Sequence, residues 1–254
     1  MNNILDLAVP ATETVTSVNV LIHGDSGAGK TTFAGSGRDN GKNDLILAIE
    51  KGTVSAARSG SQANVLQINT WEELNQAIDA IVDDPDRFEW VVVDSITKLQ
   101  DLIWDHILSE AVGRNPSRSR YKRELQEYGE AQARLSEVVE RLNNSDANIL
   151  WTALSDLEVD EQGNEFKMPS IHGRGGKQAA WVCAQMDTVI YLSVIEHNGR
   201  LHRRFQFNKT PEAYAKDRLQ TFQKAQGDLT LAKLTDKIVG VGEEDNTNNE
   251  TKEN

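Results

Sequence analysis

The chain has 254 residues, with 39 acidic against 27 basic side chains and a formal charge of −12. Its length supports one sizeable core, as one domain or two small ones; 38% hydrophobic content and a mean hydropathy of −0.51 fit a globular protein with no membrane partner. A pI near 4.9 argues against a protein that coats nucleic acid by bulk charge, although a local basic site remains compatible with it.

The first residues have neither the basic start nor the apolar core of a secretion signal. The one cysteine, Cys183, cannot make an internal disulfide. Both set the expectation of a reducing, cytoplasmic setting. Residues 1–16 read as a polar lead-in and 17–240 as the folded domain. The segment 241–254, with five acids and four asparagines, reads as a disordered acidic tail.

Within the domain, Val18–His23 is a short apolar run that stops at Gly24, the pattern of a buried strand. Residues 44–50 and 65–68 are further strand candidates. Thr70 and Glu73 have capping-box spacing, and Trp71, Leu74, Ile78, Ile81 and Val82 then recur at helical intervals. Trp90–Asp94 is another buried strand ending at an acid. Ser95 is placed to cap a helix with the stripe Ile96, Leu99, Ile103 and Ile107. A long helix follows, with Leu125, Tyr128, Leu135, Val138 and Leu142, and then a strand over 148–154. Residues 157–168 and 187–207 read as two hairpins around Gly163 and Gly199. The expected fold class is therefore α/β: a mainly parallel central sheet with helices on both faces, extended by antiparallel strands from the second half.

The segment Gly24-Asp25-Ser26-Gly27-Ala28-Gly29-Lys30-Thr31 matches G-x-x-x-x-G-K-[ST] at every fixed position, directly after a strand and before a helical start. Glycines let consecutive backbone N–H groups turn towards phosphate oxygens. Lys30 would reach the β- and γ-phosphates, the Thr31 hydroxyl would ligate Mg²⁺, and Thr32 continues the site into the helix. ATP and Mg²⁺ are the expected ligands. The second metal-side group is Asp94 at the end of Val91-Val92-Val93, with a strand-ending helix cap as its bland alternative. Ser95 follows it where many such ATPases carry a water-activating Glu. Glu50, ending another strand, is the substitute: either a carboxylate that polarises the attacking water or a solvated loop acid.

Val91 to Leu99 resembles the Walker B segment of RecA-type recombinases, which also have Ser after the Asp and keep the catalytic Glu at the position Glu50 occupies. The size resembles the short RecA-like ATPases of phages, the Sak group of single-strand annealing proteins and related phage nucleotide-binding proteins. That resemblance implies a RecA-like P-loop NTPase acting in phage-type recombination or annealing, in a bacterial cytoplasm. It implies a homo-oligomer on single-stranded DNA, with a single-strand-binding protein as a further partner. It matches Thr152 to the γ-phosphate sensor position, against the alternative of a buried hydroxyl bonded to backbone. Lys216 and Arg218 resemble the K-x-R element by which RadA- and DnaB-like subunits reach a neighbour's nucleotide, against the alternative of solvated charges.

Two segments lie in the order of that family's DNA loops. Arg114, Arg118, Arg120, Lys122 and Arg123 carry +5 within ten residues, with Tyr121 as a stacking face; residues 172–177, with Arg174 and Lys177, carry +2. Neither reads sequence, so binding there would be sequence-tolerant and salt-sensitive. The basic run has the alternative of a solvated helix start. Two other function classes stay open: a P-loop kinase for a small molecule, and a nucleotide-dependent assembly factor without DNA contact.

Overall fold

The computed structural model describes residues 8, 10, 17–39, 41, 43–50, 54–173 and 177–239. Nearly all of the lead-in, the whole acidic tail and Arg174 therefore lie outside the described residues. The expected α/β architecture is present. A sheet runs in the order β10-β8-β7-β1-β5-β4-β2-β3, with β6 paired to β5 and β9 to β7. Its parallel body comprises β1 (Asn19–Gly24), β2 (Leu45–Ala48), β3 (Asn64–Gln67), β4 (Val91–Asp94), β5 (Ile149–Val159) and β7 (Thr188–His197). The antiparallel additions are β6 (Glu165–Pro169), β8 (Arg200–Gln206), β9 (Lys216–Asp217) and β10 (Gln226–Gly227).

Alternation along the strands builds two cores. Leu21, Leu47, Val91, Val93, Ile149, Trp151 and Val189 face one side, against α3 (Trp71–Asp83), α4 (Ile96–Arg114), α5 (Leu125–Asn143) and α6 (Lys177–Gln185). Val20, Ile22, Ile46, Val92, Leu150 and Ile190 face the other, against α1 (Lys30–Ala34), α2 (Val54–Arg58) and α7 (Leu231–Val239). The caps read from sequence form. Glu73 N–H donates to Thr70 Oγ1 at 3.1 Å and Thr70 N–H to Glu73 Oε2 at 3.2 Å, while Lys98 N–H donates to Ser95 Oγ at 3.3 Å.

Several expectations need correction. Leu125 and Tyr128 do not join the core: they sit in the first turn of α5 at 76% and 46% exposure, and the fully buried apolar stripe begins at Leu135. Val82 is likewise exposed at the end of α3. Residues 149–159 form one continuous strand, so the first hairpin is an extension of β5 beyond the sheet body. α7 is an addition to the expected elements. Its Leu231, Leu234 and Ile238 share one face at helical spacing, and Thr235 accepts a 2.8 Å hydrogen bond from buried Trp90 Nε1. Among the described residues no helix is long and apolar enough to cross a membrane.

Candidate functional site: a phosphate loop and its acids

The phosphate loop leaves β1 at the centre of the sheet, with β5 on one side and β7 on the other. The chain cannot tolerate bulk at either end of the turn. A Cβ on Gly24 would stand 2.3 Å from the backbone oxygen of Leu192 in β7. Gly29 has φ +106°, a left-handed conformation that L side chains avoid. Lys30 is buried, and its ammonium folds back on the loop, donating to Gly24 O at 2.9 Å and Asp25 O at 3.0 Å. Burial lowers its pKa, while the carboxylates of Asp94, Glu50 and Asp25 act in the opposite sense. This ammonium is held where phosphate oxygens would replace the carbonyls.

Asp94 ends β4, one strand beyond β5, and is 2% exposed. Thr31 Oγ1 donates to its Oδ2 at 2.9 Å, and Thr152 Oγ1 on β5 donates to its Oδ1. The Thr152 hydroxyl thus bonds to the Asp94 side chain and, at a longer 3.4 Å, to the backbone oxygen of Val93. The bond to Asp94 fixes the orientation of that carboxylate, and the bond to Val93 O is the backbone-bonded alternative in part. The Thr31 hydroxyl beside a buried, oriented carboxylate is a hard-oxygen donor set and fits Mg²⁺. The peptide bond between Asp94 and Ser95 is cis.

Glu50 lies two residues past β2, whose Ala48 pairs with Asp94, and it acts electrostatically on both Lys30 and Lys98. Strand order therefore brings Lys30, Thr31, Asp94, Thr152 and Glu50 to one edge of the sheet, as expected for a phosphate site at strand C-termini.

Beneath the loop His23 is fully buried. Its Nδ1 meets Ser155 Oγ at 2.9 Å and its Nε2 meets Tyr214 O at 2.8 Å. A carbonyl only accepts, so Nε2 carries the proton and Ser155 donates to Nδ1. Burial foremost, helped by the charge of Lys30, pushes the imidazole pKa down to about 4.

Two basic residues at the loop are absent from the sequence-based candidates. Arg203, on β8, donates from Nε to Ala28 O at 3.2 Å and lies over Gly29, whose added Cβ would fall 2.3 Å from that nitrogen. Lys167, on β6, pairs with Asp25 at 2.9 Å. Both reach the loop across 142 or more residues of sequence. No local pattern announces them; only the pairing of the two hairpins beside β1 does.

The remaining candidates lie elsewhere. Lys216 is level with Val189 on β7, and Val189 with Leu21 on β1, three residues before Gly24. That is about 10 Å along the strand before the loop begins. Lys216 Nζ donates to Cys183 O at 2.8 Å and Arg218 Nη2 to Ala184 O at 3.2 Å, both at the end of α6. Neither lies beside the chain's own phosphate loop. In the basic run, Arg118 is tied to Glu127 at 2.6 Å. Arg114, Arg120, Lys122 and Arg123 are exposed, and Arg123 lies 4.2 Å above the Trp104 ring centre. Lys177 opens α6 and is exposed.

Among solved structures, a KaiC-like protein from the hyperthermophilic archaeon Pyrococcus horikoshii is similar, with a TM-score of 0.44 and 17% identity over 76% of this chain and 79% of that one. No curated protein matches the sequence. A family profile described as an AAA domain matches residues 16–219, a span that contains the phosphate loop, Glu50, Asp94, Thr152, Lys216 and Arg218. The chain belongs to this AAA domain family of P-loop proteins.

Proposed function

We propose that the protein is a Mg²⁺-dependent ATPase that works as a homo-oligomer on single-stranded DNA, in recombination or strand annealing of the phage type. The observation that carries the ATPase reading is the chain Thr31–Asp94–Thr152 beside Lys30, with Glu50 in electrostatic reach. Loop amides and Lys30 hold the phosphates, and Thr31 and Asp94 hold the metal. Bound Mg²⁺ supplies positive charge against the phosphate oxygens. Glu50 accepts a proton from the attacking water as that oxygen bonds to the γ-phosphorus. The bond to the β–γ bridging oxygen breaks, leaving ADP and phosphate.

Lys216 and Arg218 support the oligomer. Standing away from their own loop, they serve a phosphate only in a neighbouring subunit, on leaving the α6 carbonyls they now hold. DNA contact is supported by one junction of the two segments: Arg123 of the basic run and His172 of the glycine-rich one line the same pocket.

Lys30→Ala tests the reaction. Phosphate release from ATP should fall to background while the thermal midpoint is retained; full turnover in that variant refutes the mechanism. Binding of a single-stranded oligonucleotide at two salt concentrations, with ATP and Mg²⁺ present, tests the DNA reading. Salt-sensitive binding is expected, and no binding at either concentration rejects it.

A further inference from the structure

Between α4 and the start of α5 lies a pocket of about 340 Å³. Its walls include Trp104, Arg123, Leu125, Tyr128, Gln132 and His172. The composition is unusual for a solvent-facing helix start. Leu125 is 76% and Tyr128 46% exposed, and Tyr128 meets the Trp104 ring edge-on at 5.0 Å. The Arg123 guanidinium lies on the Trp104 face. Gln100 is not free to serve a ligand, because both ends of its amide hold the backbone of His172, at 2.6 and 2.8 Å. It fixes residue 172 as a wall. Gln132 and the His172 side chain are exposed at the pocket.

Charge surrounds this apolar floor on one side. Arg114 ends α4, Arg120 and Lys122 are exposed on the connection that delivers Arg123, and Tyr121 beside them is 91% exposed. A ligand that matches has a flat unsaturated ring with polar edges, joined to a chain of negative charges. Flat rings stack on tyrosine and on guanidinium planes, and their edges hydrogen-bond to an amide or imidazole. The charged chain then runs over the basic connection.

We infer that this pocket is a nucleobase-stacking site: one unpaired base of a single strand seats against Tyr128 and Leu125 beside Arg123, while Arg120 and Lys122 hold the flanking phosphates. The inference rests on the proposed single-strand binding and adds that bases, and not the backbone alone, are gripped. It joins Arg123 of the basic run and His172 in a single site.

The test compares two labelled strands of equal length, an oligothymidylate and a strand with abasic sites throughout, bound to the full chain with ATP and Mg²⁺. The wild type should bind the base-bearing strand about 10-fold or more tightly than the abasic one. Tyr128→Ala and, separately, Leu125→Ser should remove most of that difference without changing the salt dependence. Arg120→Ala with Lys122→Ala should weaken both strands alike and flatten the salt dependence. A 2-aminopurine placed in the strand should be quenched on binding to the wild type and not to Tyr128→Ala. Thermal midpoints matching the wild type exclude misfolding as the cause. Equal binding of both strands by the wild type, or unchanged discrimination in Tyr128→Ala and Leu125→Ser, overturns the stacking site while single-strand binding stands. Failure to bind either strand overturns both.

Discussion

Acidification should weaken the fold through His23, the residue on which the phosphate loop is seated. Its imidazole is neutral and enclosed, with its pKa pushed from 6.5 to about 4. A depressed folded-state pKa means that the unfolded chain takes up a proton first as pH falls. Stability is therefore intact above pH 6.5 and is lost between 6.5 and 4, at about 1.4 kcal/mol per pH unit. From pH 7 to 4.5 this one group should cost roughly 2.5 kcal/mol. Other carboxylates titrate over the same range, so the measurement must be differential. Urea unfolding of the wild type and His23→Asn would be followed from pH 7 to 4.5. At pH 7 the variant should be less stable by about 2 kcal/mol, because Tyr214 O and Ser155 lose their buried partner. The gap should close as the pH falls, since only the wild type carries the penalty of charging an enclosed ring. A gap of constant size across the range would refute the reasoning, because the imidazole would then titrate alike in both states.

Two more outcomes follow from buried carboxylates. Thr152→Val keeps the shape of the side chain but withdraws the donor that orients Asp94. The Mg²⁺ concentration for half-maximal ATP hydrolysis should rise about 10-fold, and an unchanged Mg²⁺ titration would remove Thr152 from this role. Asp44, just before β2, has its pKa raised to about 7 by burial and by the charge of Glu89. Here the folded state keeps the proton that the unfolded chain releases near 3.8, so stability declines as pH rises from about 4 to 7. Asp44→Asn, a mimic of the protonated form, should match the wild type near pH 4 and exceed it at pH 8 by more than about 1 kcal/mol. A smaller gain at pH 8 than at pH 4 would contradict the assigned direction.

The parts of the site that lie at strand ends are legible in the amino-acid sequence itself. An apolar run that stops at Gly24, another that stops at Asp94 and a third near Glu50 state both the sheet and its working edge, because buried parallel strands are apolar throughout and polarity returns where they emerge. What the sequence does not display is lateral. Thr152 is recognisable as the polar residue of an apolar strand, but its partner depends on β5 lying between β1 and β4. Arg203 and Lys167 reach the loop through hairpins far along the chain, and nothing in their neighbourhoods distinguishes them from solvated charges. Leu125 and Tyr128 mislead for the opposite reason. Their spacing continues the core stripe of α5, yet the first turn lies outside the core cluster, so the same periodicity that marks a core delivers two apolar side chains to a pocket.

The central position of β1 also sets a timetable. Asn19 pairs with Ile149 and Val20 with Thr188, so the strand that ends in the phosphate loop finds its two neighbours only after the intervening strands and helices have been made. At about 5 to 20 residues per second, a ribosome takes roughly 8 to 34 seconds to travel from Val20 to Thr188. During that interval the phosphate loop has been made but lacks its β7 flank, and contacts of such high separation are slow to form. The loop is thus flanked on both sides only once β7 has been made. A chain cut short before β7 would carry the whole loop motif and lack the flank against which Gly24 closes.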